Sequence, residues 1–311
     1  MDAAAAAPHV MVLPFPAQGH ATPLMELSHR LVDRGFRVTF VNTEPIHALV
    51  LAALRPSAAG GGSGLPDGIR LVSVPDGLAD GDDRRDLCRF VDALSRCIPG
   101  YVERLLRETK VKWLVGDVNM GMCFEAARKL GVRVAAVFPA SAACLATLFK
   151  VPQLIEGGFF DDKDRMTQAF RSGTVRSSSP RGCRRSSRRR CRGASTAPSK
   201  DRKFGYQLVS RNTKAARRHA EVVVCNSFRD AEAAAFELFP GILPVGPLFA
   251  DAELRRPVGQ LLPEDTGCLR WLNAQPDGSA VYVAFGSFTI FDPRQFMELA
   301  EGLELTDRPF L

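Results

Sequence analysis

The sequence predicts an α/β fold in which a doubly wound parallel sheet is covered by helices on both faces. Short apolar runs rich in β-branched residues alternate from the start with amphipathic segments of helical period, and this alternation is typical of a parallel sheet. The 311 residues exceed the usual size of one domain, so two domains are expected. The apolar content of 46% is sufficient for cores of ordinary globular size.

Predicted strands and helices follow one another through the first 150 residues. The strands are the apolar runs at 10–15, 37–41, 69–74, 113–117 and 133–138. Helices are predicted between and after them, at about 22–35, 45–54, 87–109, 121–130 and 141–149. The first helix has Pro23 in its opening turn and Leu24, Leu27 and Leu31 on one face. A glycine turn at 17–20 is expected to separate it from the first strand.

A strongly basic segment interrupts this pattern after Phe170. Residues 171–203 hold twelve of the 41 basic residues and one acidic residue, whereas the rest of the chain has 29 basic and 33 acidic residues. The segment lacks apolar periodicity and cannot bury enough surface to fold alone. Three interpretations are open: a disordered basic segment that binds nucleic acid or acidic surfaces, a solvated insertion, and an out-of-frame translation, which the Arg/Ser/Cys/Gly/Pro composition favours.

The pattern resumes after the basic segment and then reaches a second, smaller unit. A strand at 221–227 and a helix through Phe239 are predicted, followed by a crossing segment at 243–248. The second unit has a helix at 268–273, a strand at 280–285 and a helix at 293–303. One strand and two helices cannot cover both faces of a sheet. We therefore expect one domain at 1–250, and a linker with an incomplete second domain at 251–311.

Composition and motif spacing exclude several classes of protein. The sequence contains no run of eighteen apolar residues, so no membrane span is expected. The N-terminus lacks the basic region of a signal peptide, so a cytoplasmic protein is expected. The eight cysteines form no CxxC pair and have no metal-ligand spacing. Gly19 stands alone without a G-x-G-x-x-G pattern, which excludes a nicotinamide dehydrogenase.

Candidate active-site residues lie at the carboxyl ends of the first and fourth strands. With the predicted strand order 3-2-1-4-5, ligands bind where the order reverses, and His20 and Asp117 become neighbours there. A carboxylate beside an imidazole fixes its tautomer and stabilises its charged form. An aspartate at a strand end is also a common helix cap, and a histidine in a turn is often structural, so both interpretations stay open. His29, His47 and His219 are interpreted as surface residues.

A series of motifs resembles those of plant family 1 UDP-glycosyltransferases. They are Pro-Phe-Pro-Ala-Gln-Gly-His at 14–20, Val-Thr-Phe-Val-Asn-Thr-Glu at 38–44, Asn-Ser-Phe at 226–228, Pro-Val-Gly-Pro-Leu at 244–248, Cys-Leu-Arg-Trp-Leu at 268–272 and Val-Tyr-Val-Ala-Phe-Gly-Ser at 281–287. The matches run in order from residue 9 to 170 and again from about 204 to 311. The resemblance implies a GT-B fold, in which an acceptor-binding N-terminal domain and a UDP-sugar-binding C-terminal domain, both Rossmann-like, face each other across a cleft.

The resemblance also implies an activity and its residues. His20 would deprotonate the acceptor hydroxyl and Asp117 would orient His20, while donor contacts would come from Gly19, Gly286, Ser287 and Thr289. A plain strand-to-helix turn is the alternative for 286–289. The sugar, expected to be glucose, would pass from a UDP-sugar to a small hydroxylated molecule with inversion, without a metal or other cofactor. The implied protein is a monomer with no membrane or nucleic-acid partner.

The chain departs from the family pattern at two places. The family's donor-binding segment, which begins with Trp-x-Pro-Gln and contains His-x-Gly-Trp-Asn-Ser, is absent, and residues 171–203 resemble nothing in the family. We therefore expect a C-terminally truncated member with impaired donor binding. The alternative is a non-catalytic, acceptor-binding or partner-binding remnant.

Overall fold

The computed structural model describes residues 7–53, 65, 67–157, 210–249, 266–286 and 291–311. These residues form two compact units, the first containing the described residues up to 249 and the second those from 266 onward. The basic segment at 171–203 lies outside the described residues, so the three interpretations of it stay open.

The first unit is built on a sheet of seven parallel strands. They are β1 (His9–Leu13), β2 (Arg37–Thr43), β3 (Ile69–Val74), β4 (Trp113–Asp117), β5 (Arg133–Phe138), β6 (Val222–Cys225) and β7 (Ile242–Pro244). Their order in the sheet is β3-β2-β1-β4-β5-β6-β7, and all neighbours are parallel. The order reverses between β1 and β4, which confirms the predicted 3-2-1-4-5 arrangement.

Helices join the strands of the first unit. They are α1 (Gln18–Asp33), α2 (Glu44–Ala53), α3 (Leu87–Thr109), α4 (Phe124–Lys129), α5 (Ala142–Glu156), α6 over the described residues 210–219 and α7 (Arg229–Leu238). A 3₁₀ turn, Val118–Cys123, separates β4 from α4. Over the described ranges, none of the helices combines the length and the apolar character needed to cross a bilayer.

Alternate residues of the central strands pack on opposite faces of the sheet. Val10 and Val12 of β1 belong to a core that includes residues of α1. Met11 and Leu13 belong to the larger core on the other face, which includes one side of α3. Because successive side chains of a strand point to opposite faces, both faces of β1 are covered, as a doubly wound sheet requires.

Three elements of the first unit differ from the sequence-based expectation. α1 begins at Gln18, so Gly19 lies in the first helical turn instead of a separate glycine turn. The expected crossing segment begins with β7, whose backbone pairs with the free edge of β6; Pro244 is tolerated there because an edge strand does not need every N–H group. α5 continues through Pro152 to Glu156.

The second unit contains two helices, α8 (Thr266–Asn273) and α9 (Pro293–Glu304). Asp292 caps α9 in a reciprocal capping box with Gln295, and Pro293 occupies the first helical position. No residue of α9 is buried.

The strand expected at 280–285 is reduced to a single bridge. Val281 pairs in parallel with Phe310, and hydrogen bonds join 281–283 to 309–311. A strand is stabilised by ladders along its sides, and within the described part of this unit only residues 309–311 provide such a partner. The prediction of a full strand was therefore wrong for the structure described.

Candidate active site

β1 and β4 bring His20 and Asp117 together. His20 lies in the first turn of α1, shortly after β1, and Asp117 is the last residue of β4. Nδ1 of His20 lies 2.7 Å from Oδ2 of Asp117, although the residues are 97 positions apart in the sequence. This distance is that of a strong, charge-assisted hydrogen bond. The contact arises because β1 and β4 are neighbours in the sheet.

The Asp117 carboxylate serves two partners. Oδ2 faces His20, while Oδ1 accepts a hydrogen bond of 2.8 Å from the backbone N–H of Asn119 and so caps the 3₁₀ turn. The helix cap and the histidine contact, which the sequence left as alternatives, are therefore both made by one side chain. The Asp117 side chain is 0% exposed and the His20 side chain is 25% exposed, so the imidazole reaches solvent while its partner does not.

The contact with Asp117 determines the tautomer and basicity of His20. An ionised carboxylate can only accept, so Nδ1 carries the proton of the neutral imidazole and Nε2 keeps its lone pair. Burial lowers the pKa of His20, but the negative charge and the hydrogen bond of Asp117 outweigh burial and hold the pKa above its ordinary value of 6.5. His20 is therefore a stronger base than a free imidazole.

Phe15 supports the imidazole from the β1 side. The ring centroids of Phe15 and His20 lie 5.3 Å apart at an interplanar angle of 65°. Phe90 of α3 packs edge-on against Phe15, with centroids 6.3 Å apart. Such edge-to-face contacts are favourable, so a buried ring and a buried carboxylate together orient His20. No role in the site was predicted for Phe15, although its position just before the first helix could have suggested one.

The predicted donor contacts fall in different parts of the structure. Gly19 is exposed in the first turn of α1, and a Cβ built on it would meet nothing within 4 Å. Gly286 belongs to the second unit, where its backbone has φ +71°. Ser287 and Thr289 lie outside the described residues. The contacts of these four residues with a donor stay a prediction.

One of the histidines interpreted as surface residues is buried. His29 of α1 is 8% exposed, because it follows the buried Met25 by four positions and so lies on the same face of the helix. His47 and His219 are partly exposed. The surface interpretation of His29 was therefore wrong.

Other features of the described residues do not form a second reaction centre. A cavity of about 470 Å³ beside α6 is lined by residues of the 3₁₀ turn, α4 and α6, and includes neither His20 nor Asp117. Among the described residues, no three His, Cys, Asp or Glu side chains are grouped as metal ligands. The six described cysteines are free thiols, and burial raises the pKa of Cys225 to about 12.

Known proteins similar to this chain are plant UDP-glycosyltransferases. UDP-glycosyltransferase 83A1 from Arabidopsis thaliana is 36% identical over 321 residues, which cover 98% of this chain and 66% of the relative. The 7-deoxyloganetin glucosyltransferase from Gardenia jasminoides is 30% identical over 327 residues, covering 97% of this chain and 66% of the relative. No protein-family model matches the chain.

A solved structure shows the same fold. The crystal structure of Os79 from O. sativa in complex with UDP has a TM-score of 0.65 and 24% identity, over 97% of this chain and 66% of that chain. The fold is thus that of a GT-B glycosyltransferase, and the chain spans 66% of the length of these proteins. Given the 36% identity over nearly its whole length, the chain belongs to the plant UDP-glycosyltransferase family.

Proposed function

We propose that this chain is part of an inverting UDP-dependent glycosyltransferase in which His20 is the base and Asp117 orients it. The sugar, glucose in this proposal, passes from a UDP-sugar to a hydroxyl group of a small molecule. The observation that carries the proposal is the 2.7 Å contact between Nδ1 of His20 and Oδ2 of Asp117. The relatives add support, because one is named as a glucosyltransferase and Os79 was crystallised with UDP.

The chemistry assigned to the pair is abstraction of a proton from the acceptor. Nε2 of His20 accepts the hydroxyl proton while the hydroxyl oxygen attacks the anomeric carbon of the sugar. The bond between that carbon and the diphosphate oxygen breaks as the new bond forms, its electron pair leaves with UDP, and the carbon is inverted. The imidazolium that results is stabilised by the Asp117 carboxylate, which stays ionised.

The two substrates are assigned to different residues. The acceptor is placed at the carboxyl ends of β1 and β4, and the donor contacts are assigned to Gly19, Gly286, Ser287 and Thr289. For Gly19 the assignment draws on the open space beside it and on the first turn of a helix, where unpaired N–H groups favour anions. We propose a cytoplasmic monomer that needs neither a metal nor another cofactor, and that has no membrane or nucleic-acid partner.

The activity is tested in a fusion, because the chain spans 66% of its relatives. The fusion joins this chain to the part of UDP-glycosyltransferase 83A1 that the chain does not cover. With UDP-glucose and a panel of hydroxylated acceptors, we expect a glucoside that mass spectrometry detects. His20→Ala is expected to lower kcat/KM by about 10²- to 10⁴-fold, the usual contribution of a general base.

A second histidine serves as the matched control. His219→Ala alters a partly exposed histidine of α6 and is expected to keep the turnover. Undiminished turnover in His20→Ala would remove His20 from the base role. A folded fusion that binds UDP-glucose and forms no glucoside would favour the non-catalytic alternative.

A further inference from the structure

Asn212 of α6 contacts the 3₁₀ turn that Asp117 caps. Its side-chain Nδ2 donates a hydrogen bond of 2.7 Å to the backbone carbonyl of Asn119, which lies 93 positions earlier in the chain. The backbone N–H of Asn119 in turn donates to Oδ1 of Asp117. A single residue, Asn119, therefore joins the amide of Asn212 to the carboxylate that binds His20.

Gly121 makes the contact between α6 and the turn unusually close. A Cβ built on Gly121 would lie 2.4 Å from the backbone oxygen of Asn212 and 2.9 Å from its Cα. Since neither atom belongs to a side chain, no rotamer change could relieve this overlap, and only glycine allows the approach. Asn212 and Gly121 thus hold the helix and the turn in one fixed arrangement.

Packing alone does not account for an asparagine at position 212. The residue is 0% exposed, and its Oδ1 has no hydrogen-bond partner within the part of the chain that the structure describes. A buried oxygen without a partner costs folding free energy, and a leucine of similar shape would avoid that cost. What the amide contributes is therefore the hydrogen bond that it donates to Asn119.

We propose that Asn212 is a positioning residue for the His20–Asp117 pair. By fixing the turn at Asn119, it keeps Oδ1 of Asp117 on the Asn119 amide and Oδ2 directed at His20. Without this bond the turn gains freedom and the carboxylate spends less time against the imidazole. The proposal rests on the proposed function, in which the pair is the base, but Asn212 acts through Asp117 and does not touch the reacting atoms.

An NMR titration of the His20 imidazole in this chain tests the proposal without requiring turnover. The His20 signal is assigned by its loss in His20→Gln, and its pKa is then measured in the wild type, Asn212→Leu and Asp117→Asn. We expect Asn212→Leu to lower the pKa of His20 toward its value in Asp117→Asn. The reason is that burial of His20 remains while the attraction of Asp117 weakens.

Two further variants separate positioning from a general effect on folding. Arg217→Ala is the matched control, because Arg217 of α6 also bonds a backbone carbonyl, that of Phe149 at 3.5 Å, but not the turn; the pKa of His20 should not change in it. Asn212→Gln keeps the amide, so the pKa of His20 in this variant is expected to lie between its values in Asn212→Leu and in the wild type. Thermal unfolding establishes that each variant is folded before its titration is compared.

The outcomes distinguish the positioning role from the proposed function. A folded Asn212→Leu variant with the wild-type pKa for His20 would overturn the positioning role. If Asn212→Leu does not fold, Asn212→Ala removes the same hydrogen bond with a smaller side chain and must itself lower the pKa of His20, or the proposal fails. In the fusion, Asn212→Leu should lower kcat and leave KM for UDP-glucose unchanged. A folded fusion that binds UDP-glucose but has no transferase activity would count against the proposed function, whereas the NMR shift would still support the positioning role.

Discussion

Oδ2 of Asp117 lies 2.7 Å from Nδ1 of His20, at the carboxyl ends of two adjacent parallel strands. The carboxylate is fully buried, so water screens its charge little, and the imidazole is 25% exposed. The burial of Asp117 strengthens the attraction that raises the basicity of His20. The partial exposure of His20 keeps its ring open to a substrate. Such a pair is suited to taking a proton from a bound hydroxyl group.

Asp117→Asn is expected to change both the rate and the pH profile of the fusion. The variant keeps the shape of the side chain and removes its charge, so the pKa of His20 falls under the influence of burial. A base works only when unprotonated, so wild-type kcat/KM decreases as the pH falls through the raised pKa. In Asp117→Asn this acid limb moves to lower pH, and the plateau falls by about 10²-fold or more because the amide no longer stabilises the imidazolium.

Glu26→Gln is the control, because it removes a different buried charge, one that lies on α1, the helix that carries His20. Glu26 is 7% exposed and pairs with Arg30 at 3.1 Å. This variant should leave the acid limb of the pH profile in place. If the profiles of Asp117→Asn and the wild type coincide, Asp117 does not tune His20.

Glu232 of α7 caps the first turn of α5. Its carboxylate accepts hydrogen bonds from the backbone N–H groups of Ala142 at 2.7 Å and Ala143 at 3.0 Å, and from the hydroxyl of Ser227. Burial raises the pKa of Glu232, but these hydrogen bonds outweigh burial and lower it from 4.5 to about 2. The ionised side chain therefore joins the start of α5 to the segment after β6.

Glu232→Gln is expected to lower the free energy of unfolding of the chain at pH 7. A loss of about 1–2 kcal/mol is expected, at the lower end for bonds to a charged group because Glu232 is partly exposed. The pKa of Glu232 is lowered in the folded state, so the extra free energy of unfolding of the wild type over Glu232→Gln is fully present above pH 4.5. It disappears as the pH falls through about 2. Urea unfolding at pH 7 and pH 3 should show the gap between wild type and variant narrowing.

Glu237→Gln provides the comparison for Glu232. Glu237 is an exposed residue of the same helix, and its replacement should change stability by no more than about 0.5 kcal/mol. The difference in free energy of unfolding between wild type and Glu232→Gln could prove to be as large at pH 3 as at pH 7. In that case the charge of Glu232 is not the cause of the difference.

The sheet order and the His20–Asp117 pair could be predicted from the sequence because both follow from periodicity. Apolar runs locate the strands, and the order of a doubly wound sheet places the ends of β1 and β4 side by side. The contact between Asn212 and Asn119 follows no such rule, since it joins a helix to a turn 93 positions away. β7 was missed because its three residues, Ile242–Pro244, are too few to show a period. The expected strand at 280–285 failed for a different reason, namely the lack of partners among the described residues.

Turnover by the fusion is expected to be insensitive to EDTA. In the proposed step the base is a side chain, His20, so proton removal does not require a metal-bound hydroxide. The test compares initial rates with UDP-glucose before and after treatment with EDTA, and again after addition of Mg²⁺. A rate that falls with EDTA and returns with Mg²⁺ would contradict this prediction.

Gly19→Ala tests the donor contact assigned to the first turn of α1. A Cβ at position 19 meets nothing within 4 Å and the backbone there is not left-handed, so alanine fits and raises helix stability by at most about 1 kcal/mol. The added methyl group would occupy space that a donor beside His20 needs, so KM for UDP-glucose in the fusion should rise without loss of stability. Gly35 lies just after α1 with φ +82°, a conformation that alanine adopts poorly. Gly35→Ala is therefore expected to lower the stability of the chain and to leave KM for UDP-glucose unchanged. An unchanged KM in Gly19→Ala would place the donor elsewhere.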